Sequence, residues 1–428
     1  MSVLDDLTAF VFESPTPYHA VFAAAGRLEA RGFVELDETA PWKLDPGRYF
    51  IRRDGALAAF IVPDRTPRGA RLVGAHTDSP NLRLKPRASY VKEGYRQLGV
   101  EVYGGALLCT WLDRDLSLAG RVLVRAAGGV TARLVRIDRP LLRIPHLAIH
   151  LDREVNDKGL VLNRQQHLPP VLGLSGDQDE TLEQLLAAEL SISADEIVGT
   201  DLHLYDVVPP TRAGAKGELL FSPRLDNQAM CHAALVALLE ATATAPGRDV
   251  LPLAVLFDHE EVGSDTATGA GSPLVPHLLE RILLSLGADR ADYLRFLQGS
   301  LCVSADMAHA LHPNYPDKHE ARHRPRLNGG PVIKVNSQQR YATCARTAAM
   351  FEALCRDADV PVQHYAHRTD LPCGSTIGPI TATLLGIRTV DVGNPMLSMH
   401  SIRELGGCED PALMVKALTG FYGFEGTV

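Results

Sequence analysis

Short apolar runs alternate with helical patterns toward both ends of the chain, and the middle has a different texture. Thr16 can cap a helix, Pro17 suits its first position, and Val21, Phe22 and Leu28 fall on one apolar face, which predicts an early helix. Residues 57–62 and 72–75 are brief apolar runs read as buried strands. The second leads straight into His76-Thr77-Asp78. From about Leu98 to Lys216 the pattern becomes strict alternation (99–103, 120–125, 131–137) broken by Gly104-Gly105 and Gly128-Gly129, the grammar of an antiparallel meander. After Arg224 strands and helices alternate again. Strands are expected at Leu251–Phe257, Leu301–Ala305, 332–336 and 389–392, and helices at 227–243, 341–356 and 375–385.

Alternation of strands and helices implies an α/β fold, a mostly parallel sheet covered by helices. The chain therefore reads as a catalytic α/β domain made from residues 1–90 and 222–428, with a β-rich domain, 91–221, inserted in it. A length of 428 residues is consistent with two cores. A net charge of −8 argues against a broad surface for nucleic acid or for an anionic membrane. No apolar run reaches the length of a membrane span, and Met1 to Phe12 carries Asp5 and Asp6 where a secretory leader would be basic and then apolar. Seven cysteines without a C-x-x-C pair read as reduced thiols of a cytoplasmic protein.

The chemistry is expected where strands end, because open α/β sheets bind ligands beyond the carboxyl edges of their strands. His76 and Asp78 follow one predicted strand; Asp258, Glu260 and Glu261 follow another; Asp306 follows a third. Asp226 opens a helix and His400 follows a short loop after Val392. Taken singly, each has an ordinary explanation. Asp226 would be a helix cap, Glu260-Glu261 a solvated helix start, and His400 a hydrogen-bonded structural histidine. Their recurrence at successive strand ends favours a metal centre. Imidazole and carboxylate donors with almost no thiolate suit zinc, manganese or cobalt. Two ions side by side need a bridging carboxylate, for which Asp226 is the candidate. His76 and Asp306 would complete one ion, Glu261 and His400 the other. Asp78 could orient the His76 ring. Glu260, adjacent to a ligand, is placed to act as general base toward a metal-bridging water and then as acid toward a leaving amine.

In chain order, Val73-Gly-Ala-His-Thr-Asp-Ser-Pro80, Ser222-Pro-Arg-Leu-Asp-Asn227, Phe257-Asp-His-Glu-Glu-Val-Gly-Ser264, Ser304-Ala-Asp-Met-Ala-His309, Gly330-Pro-Val-Ile-Lys-Val-Asn336 and Met399-His-Ser-Ile402 resemble the aspartyl aminopeptidase family over nearly the whole chain. The resemblance implies a di-zinc peptidase with ligands at His76, Asp226, Glu261, Asp306 and His400, and with Glu260 catalytic. It also implies a homo-dodecamer held largely through the inserted β-domain. Within residues 143–150 one histidine, taken here as His150, matches the family residue that reaches a neighbouring subunit's site. Lys334 matches a position that holds an acidic substrate side chain, against the ordinary reading of a strand lysine that snorkels to the edge. His309, His312 and His319 are expected to pack around the first ion. Residues 373–378 are equally explained by a helix start whose N–H groups hold the substrate or a carbonyl oxygen in the transition state, or by a plain helix N-terminus with Ser375 as cap. Two rival functions remain: a related two-metal hydrolase of broader or different specificity, and a non-catalytic assembly protein on the same fold.

Overall fold

In the computed structural model, residues 1–176, 179–241 and 249–428 are described. They form two compact units. The first comprises Met1–Asp78, Pro210–Met399 and Glu404–Val428, and the second Ser79–Pro209 and His400–Arg403. The junctions differ from the expected 90/91 and 221/222 because of strand pairing. Strand Asn81–Lys92 pairs along Tyr95–Tyr103, inside the second unit's sheet. Strand Thr211–Ala213 pairs instead with Leu219–Ser222 in the first unit.

The first unit is built on a nine-stranded mixed sheet. Its centre is parallel: Leu251–Phe257, Ala70–His76, Leu301–Ala305 and Arg388–Gly393 run side by side. All residues of Ala70–His76, Leu251–Phe257 and Leu301–Ala305 are buried, which explains their continuous apolar runs. Register decides where these strands deliver their polar residues. Phe257 lies opposite His76, and Ala305 opposite Val392, so Thr77, Asp258 and Asp306 leave the sheet along one edge. A five-stranded sheet, which includes Leu219–Ser222, Glu404–Gly407, Pro395–Leu397 and Ala308–His309, continues from those ends. Helix Leu225–Ala241 lies in the main core, where Tyr422 of helix Asp410–Tyr422 donates its hydroxyl to the Ala234 carbonyl at 3.2 Å.

Three local expectations are corrected. The early helix spans Pro17–Glu29 with Val21 and Leu28 buried, but Phe22 is 64% exposed, and Thr16 spends its hydroxyl on His19 Nδ1 (2.8 Å) instead of capping. The helix expected from Tyr341 begins at Ala345, because Ala342 N–H and the Thr343 hydroxyl are engaged by Asp391 in an extended approach. The helix expected from Ser375 begins at Ile377 with Thr376 as its cap, while the Ser375 hydroxyl donates to the Arg340 carbonyl. The helix expected over 227–243 is seen as Leu225–Ala241, and the expected residues 242 and 243 lie outside the described residues.

The second unit is a six-stranded antiparallel sheet with strand order Gly129–Arg136, Leu116–Ala126, Ile197–Asp206, Asn81–Lys92, Tyr95–Tyr103, Val171–Leu174. Alternation buries Leu82, Leu98, Leu118, Val122, Leu202 and Leu204 on one face, as the meander pattern predicts. Gly120 is required where it stands: at φ +156°, a Cβ there would lie 2.0 Å from the Asp201 carbonyl oxygen. Among the described residues no helix is long and apolar enough to cross a membrane.

Candidate metal centre

His76, Asp78, Asp226, Glu260, Glu261 and Asp306 all lie in the first unit, and the fold brings them together. His76, the last residue of its strand, is fully buried. Its Nε2 lies 3.4 Å from Asp226 Oδ1 and 3.9 Å from Glu260 Oε2. His76 Nδ1 faces Asp78, 3.0 Å from its carbonyl oxygen and 3.3 Å from Oδ1. One ring nitrogen is thus held by a neighbour on its own loop and the other turned toward the cluster, the arrangement that fixes a ligand tautomer.

Asp78 has a second role that the sequence did not suggest. Its carboxylate accepts the backbone N–H of Glu260 at 3.2 Å and of Glu261 at 3.1 Å. One buried side chain therefore ties the loop after the His76 strand to the short 3₁₀ turn Glu260–Val262 that follows Leu251–Phe257. His259 enters that turn at φ +61°, a left-handed conformation in which its N–H bonds Asp258 Oδ1 at 2.8 Å. Such a tight reversal directs Glu260 and Glu261 back toward His76.

Asp226 sits where a loop becomes a helix, but not as a simple cap. Its backbone is extended (φ −82°, ψ 105°), and the Asp226–Asn227 peptide is cis. Asn227 donates its amide to the Ala305 carbonyl at 2.9 Å, linking the helix start to the strand that delivers Asp306. On the other side, the Asp226 N–H donates to the buried carboxylate of Glu404 at 3.1 Å. Sequence reading missed Glu404. It looks like an ordinary charged residue near a strand start, and its partner is 178 positions away.

Within this unit two sets of donors converge: His76 with Asp226 and Asp306, and His76 with Glu260 and Glu261. The ligand atoms of each set lie within 4.8 Å of one another. Burial pushes Glu260 up to about 8, against the pull of His76 and with Asp306, Asp226 and Asp78 adding repulsion. Burial likewise raises Glu261 well above its ordinary value and raises Asp306 above its own. Burial alone would depress His76, but Asp226 and Asp78 raise it well above the usual imidazole range. A buried group of carboxylates around a single imidazole is poorly compensated without a cation. Oxygen and imidazole donors without a thiolate ligand match zinc and similar divalent ions. The residues fit a metal.

Lys334 is 2% exposed and does not snorkel. Its ammonium donates to the carbonyls of Asp306 (2.9 Å) and Met307 (3.2 Å) and lies 5.1 Å from the Tyr341 ring centre. Ile333 is buried beside it, while Val335 is 41% exposed. His309 packs edge-on to Tyr365, whose hydroxyl meets His367 Nδ1 at 2.6 Å. Burial, then Lys334 and His367, hold His309 down at about 4. His319 Nε2 accepts the N–H of His312 at 3.1 Å. The other two residues named from the sequence belong to the second unit. His400 has φ +68° and places Nδ1 3.1 Å from the Gly105 carbonyl oxygen. His150 is exposed in a turn in which Leu151 N–H bonds the Ala148 carbonyl at 2.8 Å.

A buried, acid-rich cluster at the carboxyl edge of an α/β sheet, whose donors could hold a metal ion, is what a metal-dependent hydrolase requires. Residues 10–422 match the family described as aminopeptidase I zinc metalloprotease (M18). A probable M18 family aminopeptidase 2 of Streptomyces coelicolor is 47% identical over 422 residues, covering 97% of this chain and 96% of its own. Its namesake in Mycobacterium leprae is 49% identical over 425 residues, 98% of each chain. The solved S. cerevisiae mApe1 dodecamer superposes with a TM-score of 0.87 at 30% identity, over 99% of this chain and 96% of that one. The chain belongs to the M18 family, the aspartyl aminopeptidases. It is a zinc metallo-aminopeptidase, a hydrolase acting on peptide bonds.

Proposed function

We propose that this enzyme releases N-terminal residues from peptides, acidic ones in preference, at a two-ion centre held by His76, Asp226, Glu261, Asp306 and His400. The observation that carries this reading is the Asp78 clamp. By accepting the N–H groups of Glu260 and Glu261 it presents two adjacent carboxylates beside His76, one to ligate and one to move protons. Bound there, divalent cations supply Lewis acidity, polarising the scissile carbonyl and making water a stronger acid. Glu260 takes the proton from the attacking water and returns it to the leaving amine nitrogen. Asp78 keeps Glu260 in reach and holds the His76 ring. For His400, commitment of Nδ1 to the Gly105 carbonyl leaves Nε2 as its ligand atom.

The acidic preference is supported by what surrounds Asp306. Lys334 has three donors and spends two on carbonyls, so a third can meet a substrate carboxylate. His309, His319 and His367 are all held below the ordinary imidazole value by burial, and His309 and His319 are lowered further by the cationic groups around them. A substrate anion would relieve that crowding. As for assembly, the mApe1 relative is a dodecamer. We extend that state to this chain, with His150 reaching a neighbouring subunit's site. The test is turnover of aspartyl, glutamyl, leucyl and alanyl peptides, alongside N-acetylated and C-terminally scissile substrates, with zinc, manganese or cobalt. Cleavage only at free N-termini, fastest for acidic residues, is expected. Hydrolysis of N-acetylated substrates would favour the related hydrolase instead, and no turnover with any metal would favour the assembly protein.

A further inference from the structure

We propose that Glu404 is a positioning residue for the metal centre: its carboxylate holds the main chain of Asp226 in place and thereby sets how tightly the centre binds its ions. The inference rests on the reading of Asp226 as the bridging ligand and deepens it.

The argument begins with register. Glu404 opens strand Glu404–Gly407 and pairs with Ser222, the last residue of strand Leu219–Ser222. Three residues carry the chain from that pair to Asp226, turning through Arg224 at φ +53°. Glu404 therefore stands at the root of the Asp226 loop, and its Oε2 accepts the Asp226 N–H at 3.1 Å. Both side chains are buried, Glu404 at 2% and Asp226 at 3% exposure. Burying a carboxylate is costly, and a strand start could be filled by almost any apolar residue at lower cost. The hydrogen bond it accepts from a main-chain donor offsets part of that cost.

This bond does something a helix cannot. Asp226 lies outside helical geometry, so the helix that follows does not fix its backbone. Two side chains do so: Glu404 grips its N–H, and on the other side Asn227 grips the Ala305 carbonyl at the end of the strand that delivers Asp306. With the main chain held at both sides, the Asp226 carboxylate is aimed at His76 before any ion arrives. Ligand carboxylates held by further hydrogen bonds bind metal more tightly, because less ordering remains to be done on binding.

The test uses the full-length protein stripped of metal and titrated with zinc against a competing chelator, with thermal unfolding of each stripped variant as control. Glu404→Ala should bind zinc about 10–100-fold more weakly than wild type. Glu404→Gln, which keeps an acceptor at the same reach, should recover most of that loss. Glu404→Asp keeps the charge but withdraws it from the Asp226 N–H, so it should weaken zinc binding while the stripped protein still unfolds in a single thermal transition, at a lowered melting temperature. It decides the matter if the alanine variant does not fold. Wild-type zinc affinity in the alanine and aspartate variants would overturn the proposal, as would a loss in Glu404→Gln equal to that in Glu404→Ala. An Asp226→Ala arm separates the two levels. If it binds zinc normally, the reading of the site is wrong; if it loses zinc while the Glu404 variants do not, only the role of Glu404 is.

Discussion

The strand-end cluster of the first unit and the 146–162 segment of the second are both places where loops carry functional candidates, and they are built on opposite principles. In the cluster the main chain that carries the charged side chains is held by residues of its own unit. Asp78 holds two N–H groups, Glu404 holds one, and Lys334 holds two carbonyls. In the second segment the side chains that ought to be covered are open: Leu147 is 55% exposed, Ile149 47%, Leu151 75% and Val161 85%. Its only helix is the single turn Val155–Lys158. Four large aliphatic residues exposed within one short segment offer apolar surface that a partner could cover. The cluster is held by its own chain, whereas the segment leaves apolar surface open, which agrees with the proposed assembly.

Substitutions should therefore separate the two regions. The largest effect is expected at Glu260. Glu260→Gln should lower kcat by about 10²–10⁴-fold, with zinc content and oligomer size unchanged, since the proton carrier alone is removed. Steady-state kinetics beside metal analysis checks this, and near-normal turnover would end the role assigned to Glu260. Next comes Lys334→Met. If the ammonium meets the substrate's acidic side chain, kcat/KM for aspartyl and glutamyl peptides should fall by an amount equivalent to about 2–5 kcal/mol, with leucyl and alanyl peptides much less affected. An equal fall on all four would make Lys334 a support for Asp306 and nothing more. The smallest effect on the folded subunit is expected from Ile149→Ser with Leu151→Ser. Both side chains are exposed, so unfolding of the subunit should shift by less than about 0.5 kcal/mol. Sedimentation should nevertheless show smaller assemblies; unchanged size would mean that the apolar segment serves something other than assembly.

What could be read from the sequence follows the same division. The runs at Leu251–Phe257 and Leu301–Ala305 were legible because strands buried on both faces leave no polar position to confuse the pattern. His76, Glu260, Glu261 and Asp306 were legible as candidates because each follows such a run within a few residues. Glu404 was not, since nothing near Ser401-Ile402-Arg403 reveals a partner reached only through pairing with Ser222. Phe22 misled because helical spacing marks a face without saying whether anything packs there. The unit junction near Asp78 was displaced because strand Asn81–Lys92 follows the His76 loop so closely that composition shows no break.

The central claim is that the buried cluster around His76 is a two-ion centre bridged by Asp226. It is tested most directly by adding zinc back to metal-stripped protein while counting bound ions and following peptide turnover. The account predicts that stripped wild type is inactive and regains full turnover on binding two zinc ions per subunit, that Glu260→Gln binds both without turnover, and that Asp226→Ala retains neither ions nor activity. Turnover by the stripped wild type, or an active Asp226→Ala enzyme holding two ions, would contradict it.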